Sequence, residues 1–514
     1  MLGFATPEVR PRPAGPHLHA VESPERPRQP SALPRPALGP PALLAALGLA
    51  SAGIYLFLFT LRYNILVLYD GLTDIGGLTG HSQGAADAFV ATIVALFILY
   101  LASLWVVRKV ERRQALVIVG VQAVISGLAL VFMYPIWATD IYIYALYGRV
   151  WGYYGQNPML VPLSTFQYDP FLQYGGGWET KITPYGPLWV IVSGLFQKIA
   201  GDNILDNLLL FKLAALLSYL GCVALVAVVL GRLRPESRAF GTLFVAANPM
   251  LLLEVVGHGH NDATMTLFVL GAAALALTRF RSLSLPSVAL SVLTKYTLGV
   301  LGPLFVVHLL QRKASWPSRL RDLAVGGVVG VAVLVAVFSP FWVGLDTFNG
   351  VVANSKIVFA SPEAAILCQS GHGILPPLTQ GTVQRVLLAV FAAVYAVQAV
   401  RLLRDPSYLY VAAFEVAFWL VLVVPHYQSW YLVWPIMLAA VAGRPHALWR
   451  VGVFSFVTLL GVYVYGYVWV WGMKGGGMSA CQIQTVAAPV ILLPPLVVAA
   501  AFAAVAAYRW ARTL

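Results

Sequence analysis

Apolar runs of about twenty residues recur from Pro41 to the C-terminus, each long enough to cross a hydrocarbon core of ~30 Å. Inside a bilayer every backbone polar group must find a partner within the chain, and runs of this length satisfy that condition as helices. Only 10% of the 514 residues are charged and 59% are hydrophobic, which excludes a soluble enzyme. No polar stretch after residue 40 is long enough to form an appended soluble domain. The formal charge of +13 would suit a nucleic-acid binder only if it covered one face of a soluble module. Here the charge sits in short loops between apolar runs, so the expected neighbour is a lipid bilayer and no nucleic acid. The fold class read from this pattern is an all-α polytopic membrane protein.

Residues 1–40 are rich in Pro and Arg and lack the apolar core of a signal peptide, which reads as a disordered, uncleaved cytoplasmic tail ahead of one transmembrane domain over 41–514. Spans are expected over 41–61, 86–107, 115–136, 204–231, 239–256, 263–279, 324–344, 382–402, 408–425, 430–443, 450–471 and 485–508. Short basic loops favour the cytoplasm. Placing both termini inside puts the clusters at 108–113, 232–238, 279–281, 312–321, 401–404, 444–450 and 509–512 there, and with the tail these hold most of the 33 lysines and arginines. The arrangement requires that 187–200 and 285–310 not be simple crossings. The first is expected to be short or re-entrant, the second a broken hairpin around Thr294-Lys295-Tyr296-Thr297-Leu298-Gly299, both bordering a cavity. Asp70, Asp74, Asp140, Asp169, Glu179, Asp262, Asp346 and Glu363 then fall outside, so the chemistry should face outward from a plasma membrane. Cys222 lies within a span, whereas Cys368 and Cys481 share outer loops, where either a bridge or two free thiols would be compatible with their surroundings.

The longest polar segment, 138–187, opens with Asp140. Asp140, Tyr144 and Tyr147 recur at i, i+4 and i+7, so a short helix would carry them on one face. The carboxylate is then either a reactive group at the outer interface or a helix cap beside an interfacial aromatic belt. Glu254-Val-Val-Gly-His258-Gly-His260-Asn261-Asp262 could hold a metal, contact phosphate and sugar hydroxyls, or cap the following helix. Lys295 interrupts an apolar stretch at a cost of about 2.5–3.5 kcal/mol at mid-membrane, which points to a partner, a function or snorkelling. His426, Tyr427, Trp430 and Tyr431 form a further group at the outer turn between two late spans, where an aromatic belt explains Trp430 and Tyr431 as easily as a sugar platform does.

In order along the chain, Asp140-Ile-Tyr142 through Gly148-Arg149, Gly155-Gln-Asn157-Pro158, Tyr185-Gly186-Pro187-Leu188, Asn248-Pro249, Gly259-His260-Asn261-Asp262, Leu293-Thr-Lys295-Tyr296-Thr297 and Trp430-Tyr431 with Trp434 resemble the GT-C class of membrane glycosyltransferases, nearest the MptB-like polyprenol-phosphomannose-dependent alpha-1,6-mannosyltransferases. The resemblance covers about 115–445 and implies a helical bundle with about 12–14 membrane helices, short or re-entrant ones included. It implies an inverting transfer of a sugar, mannose first, from a polyprenyl-phosphate donor to a glycan or glycolipid acceptor, with no cofactor and no metal. Asp140 matches the family's catalytic carboxylate. Arg149, Tyr185, His258, His260, Asn261, Asp262 and Lys295 are the expected donor phosphate and sugar contacts, and Tyr144, His426, Trp430 and Tyr431 the acceptor platform. Two extra spans precede the first large loop, and Thr139 stands where many relatives carry a second acid, which leaves Asp169, Glu179 and Asp262 as candidates for that role. Other readings are alpha-1,2-mannosyl or arabinofuranosyl transfer or, in a different class, a lipid or glycan flippase. A flippase would repeat the hydropathy of one half in the other, and 138–187 has no second copy.

Overall fold

The computed structural model describes residues 39–311, 314–370 and 376–511. Residues 1–38 of the expected tail, together with Arg312, Lys313 and Arg512, lie outside the described residues, and Pro40 already opens the first helix. Among the described residues nine helices are long and apolar enough to cross a membrane: Pro40–Thr60, Gln83–Lys109, Arg112–Val131, Ile204–Leu233, Trp316–Phe338, Gln380–Arg404, Pro406–Val423, Pro445–Lys474 and Ala480–Val505. Isolated bridges are the only β pairings among them, so the protein is an all-α, multi-pass membrane protein. Of the apolar window of Gln380–Arg404 only 11% is buried by protein, which leaves the bilayer to cover the rest.

The departures from regular spans sit where local chemistry demands them. The 239–256 run is not one straight crossing but Pro235–Ala246 and Pro249–Gly257, bent by 46°. Asn248 causes the break: its Oδ1 accepts the amides of Met250 and Leu251, and Pro249 takes the first helical position, where its missing N–H costs nothing. The second half winds as a π-helix over Leu252–Gly257. Its last carbonyls, on Val256 (3.0 Å) and Gly257, accept from the buried Lys212 Nζ of the neighbouring long helix.

The runs at 263–279 and 430–443, expected as full crossings, are the shorter helices Asp262–Ala276 and Ser429–Ala442. At 1.5 Å per residue neither spans ~30 Å. Gly443 ends the second in a left-handed conformation (φ +57°). Pro187–Ala200 is short, as expected. The 285–310 segment is broken, as expected, at Lys295, whose backbone is extended between Ser284–Thr294 and a 3₁₀ turn over Tyr296–Leu301. Cys368 and Cys481 are joined in a disulfide, and Cys222 is buried in the bundle.

Two close approaches set the site. Gly148 and Gly152 on Asp140–Gly152 lie against Ser193 and Gly194 of Pro187–Ala200, where any Cβ would collide. Gly186 lies against the Leu293 carbonyl with no room for a methyl, and its amide donates to Thr294 O at 3.1 Å. The Tyr-Gly-Pro turn is thereby fastened to the broken segment.

Candidate active site

Asp140 opens a thirteen-residue helix that runs to Gly152, and Tyr144 and Tyr147 share its face as the spacing predicts. Tyr185, delivered by the Gly186 contact, donates its phenol to Asp140 Oδ2 at 2.9 Å. Burial and then the Asp140 charge push that phenol well above its ordinary range, so it serves as a hydrogen-bond donor and not as a base. The rings of Tyr144 and Tyr147 meet Tyr185 edge-on at 5.0 and 6.3 Å. Lys295 Nζ reaches Asp262 Oδ2 at 2.9 Å, and Asp262 Oδ1 accepts from Trp434 Nε1 at 2.6 Å. Asp262 is fully buried, so its carboxylate holds Lys295 from behind while the ammonium keeps further donors for the cavity, 5.3 Å from the Tyr431 ring centre.

These groups open on a cavity of ≈ 500 Å³. Asp140, Tyr185, Lys295, His426, Trp430 and Tyr431 line it, joined by Asp74, which the sequence places only among the outward-facing acids, and by Trp137 and Trp178, to which it gives no role. Among the described lining residues Lys295 is the only lysine or arginine, and Asp74 and Asp140 are the only carboxylates. Asp74 is already engaged as the cap of a short helix, accepting from Gly77 N at 2.7 Å. His426 is held in place by the pairing of Phe359 with the backbone at 425–427. Burial, then Lys181 and Lys295, lower its imidazole to about 4, so it is neutral near pH 7.

Behind this lining stands a second layer. Gly259, at φ +80°, makes the turn that carries His258 and His260, and a Cβ there would strike Ile141. His260 is fully buried and stacks on Trp430, with centroids 4.1 Å apart and planes 19° from parallel. Its Nδ1 lies 3.7 Å from Asp140 Oδ2 and its Nε2 3.4 Å from Glu254 Oε2. His258 Nδ1 faces the same Glu254 oxygen at 3.5 Å, and Glu254 Oε1 accepts from Trp137 Nε1 at 3.0 Å. Among the described residues no three His, Cys, Asp or Glu side chains converge as metal ligands.

Several expected contacts are therefore reassigned. Arg149 does not line the cavity: its guanidinium is taken by Asp169 and Asp202, the latter at 2.7 Å. Asp169 also accepts from Tyr154 (2.7 Å), and Glu179 turns to Gly177 N (2.8 Å), so neither is a second acid at the cavity. Tyr144 is buried behind Tyr185 with its hydroxyl accepting from Asn261 N at 3.3 Å, which removes it from the acceptor platform. His258, Asn261 and Asp262 lie behind the lining and not in it. The sequence gives no role to Trp137 or Lys212, and none to Glu254 apart from its neighbours. Glu254 stood within the quoted His-rich segment, and a carboxylate inside an apolar run was the available signal.

A family model described as "Alpha-(1->6)-mannopyranosyltransferase, N-terminal domain" matches residues 47–311, just over half of the chain. That range contains Asp140, Tyr185, Glu254, His260, Asp262 and Lys295. Alpha-(1->6)-mannopyranosyltransferase A of Mycobacterium tuberculosis is 24% identical over 284 residues, 51% of this chain and 53% of the relative. Alpha-(1->6)-mannopyranosyltransferase B of Corynebacterium glutamicum is 26% identical over 367 residues, 64% of this chain and 59% of the relative. The chain thus spans between half and three-fifths of the length of the curated relatives it matches. No solved structure matches.

Proposed function

The chain belongs to the alpha-(1->6)-mannopyranosyltransferase family, and from that premise we propose that it transfers mannose, with inversion, from a polyprenyl-phosphate donor to a hydroxyl of a glycan or glycolipid on the outer face of the membrane. The observation that carries this reading is one cavity, within a membrane-embedded bundle, lined by both the Asp140 carboxylate and the Lys295 ammonium. Asp140 takes the proton from the acceptor hydroxyl as its oxygen bonds to the sugar C1. The C1–O bond to phosphate breaks, and the lipid phosphate leaves with the electron pair. Lys295, braced by Asp262, faces that phosphate and offsets its growing charge. The Tyr185 hydroxyl fixes which Asp140 oxygen remains free for the acceptor. Trp430 and Tyr431 offer faces against which a sugar ring can lie. The prenyl chain would remain between spans while the acceptor enters from outside.

The outward orientation draws support from the Cys368–Cys481 bridge, since disulfides persist on the oxidising side of a membrane. Gln484, three residues beyond Cys481, accepts from Ala360 N in the cavity wall, so bridge and cavity share one end of the bundle. The test is to supply membranes with radiolabelled polyprenyl-phosphate mannose and a mannan oligosaccharide, then determine the linkage. Alpha-(1->6)-linked label is expected. Label delivered from GDP-mannose with polyprenyl-phosphate mannose inert would overturn the reading.

A further inference from the structure

Glu254 and His260 do not touch the cavity, yet together they occupy the space directly behind Asp140. Both are fully buried, and burying a carboxylate and an imidazole costs stability that ordinary packing does not recover. Among the described residues the two ring nitrogens of His260 and Oε2 of Glu254 make no hydrogen bond of good geometry elsewhere. Each nitrogen instead faces one carboxylate, Asp140 at 3.7 Å and Glu254 at 3.4 Å. Stacking on Trp430 holds the imidazole plane in the direction that keeps both alignments. Trp137 holds the other Glu254 oxygen from the cavity wall. Separations of this size at catalytic sites shorten when substrate packs the site.

We propose that His260 and Glu254 are positioning residues for the transfer: the proton that Asp140 takes from the acceptor passes to His260 Nδ1, and Glu254 stabilises the imidazolium so formed. This rests on the reading of Asp140 as the base. The proton balance is closed within the protein. The acceptor O–H breaks as the new C–O bond forms and its proton binds Asp140 Oδ1, the oxygen that Tyr185 leaves free; the carboxyl then turns about its Cβ–Cγ bond to bring that proton to His260 Nδ1, Asp140 returns to its ionised state, and the imidazolium stands between two carboxylates. The proton goes back through Asp140 to water in the cavity once product has left. The device restores the base while the leaving phosphate still occupies the site, when a protonated Asp140 could otherwise return its proton to the new glycosidic oxygen. The titratable groups around the ring are Asp140 on its own helix, Glu254 and His258 on the π-helix and its turn, and Lys212, which holds the end of that helix.

The test is a double-mutant cycle on the full chain in detergent, with radiolabelled polyprenyl-phosphate mannose and a mannan oligosaccharide. His260→Gln and Glu254→Gln should each lower kcat at least ~10-fold, with donor KM little changed and the acid limb of the pH profile displaced. In an Asp140→Asn background neither should cost anything further, because each acts only through Asp140. Full activity in either variant, or losses that multiply with that of Asp140→Asn, would overturn the proposal. Glu254→Gln keeps the side-chain shape and carries the cycle if His260→Gln does not yield folded protein by circular dichroism. Failure of both to fold would assign the pair a structural role and overturn it too. An active Asp140→Asn would sink the base assignment itself, whereas an inactive Asp140→Asn beside active His260→Gln and Glu254→Gln would sink the dyad alone.

Discussion

Two cations that look alike in the sequence, Arg149 and Lys295, differ in what surrounds them. Arg149 is buried and bound by Asp169 and Asp202, whereas Lys295 has one carboxylate behind it and a cavity in front. Removing Arg149 leaves Asp169 buried without its counter-charge, a loss that costs about 3–5 kcal/mol in comparable pairs. Arg149→Ala should therefore lower the melting temperature and leave the donor KM of the surviving protein near wild type, while Lys295→Ala should raise donor KM far more than acceptor KM. The reverse pattern in steady-state kinetics and melts would exchange their roles. His426 gives a prediction in pH. Its folded imidazole titrates at about 4, below the ~6.5 of an exposed one. Between those values the unfolded chain binds more protons than the folded one, so this residue makes stability fall as pH falls through that window. His426→Gln removes the term, and its melting temperature should drop less than wild type between about pH 7 and about pH 5. Equal slopes would contradict the assignment. Tyr185 is reached only through the resemblance of Tyr185-Gly186-Pro187-Leu188, but Asp140 and Lys295 could be found in the sequence because charged groups at apolar boundaries are costly and so carry information. The service of Glu254 to His260 could not, since Trp137, which fixes that carboxylate, is 117 residues away and only the folded bundle joins them.

At the scale of elements, the interruptions do more to build the site than the regular spans. A lysine and a glycine within an apolar run mark the break at 294–299, and it is present. The bend at Asn248-Pro249 was equally written in the residues as an Asn cap and a Pro at the first helical position, but hydropathy alone averages over it. Hydropathy also overestimates Asp262–Ala276 and Ser429–Ala442, because it counts apolar residues without asking whether the helix continues. Gly186 is where two interrupted elements meet. A methyl there would strike the Leu293 carbonyl, a backbone atom with no rotamer to escape into, so Gly186→Ala should move Tyr185 off Asp140. Transfer should fall at least ~10-fold, the lower edge for loss of a site-orienting contact, while the protein still inserts. Wild-type kcat in Gly186→Ala would show that the Tyr185 contact is not needed.

For the molecule as a whole, the cavity draws residues from 137–143, 178–185, 351–360 and 426–431, so these segments share one end of the bundle whichever way the protein sits. Charge counting reached the same grouping from sequence, because loops at one end of a bundle share one aqueous phase and one charge bias. It could not supply the parity of the short helices, which depends on how each packs. If the proposed orientation holds, with both termini inside, cysteines introduced in 160–180 should react with an impermeant reagent from outside and a cysteine at the C-terminus should not. Protection of the loop together with labelling of the terminus would invert the protein. The central claim is that a membrane-embedded carboxylate, Asp140, activates the acceptor against a lipid-phosphate sugar. Its most direct test is the initial rate of mannose transfer from radiolabelled polyprenyl-phosphate mannose by wild type and Asp140→Asn at equal amounts of folded protein. The substitution keeps the shape and the Tyr185 contact partner but removes the basicity. A fall of at least ~10²-fold is predicted, the scale of a lost general base; a near-normal rate would reduce Asp140 to the first residue of a helix and contradict the account.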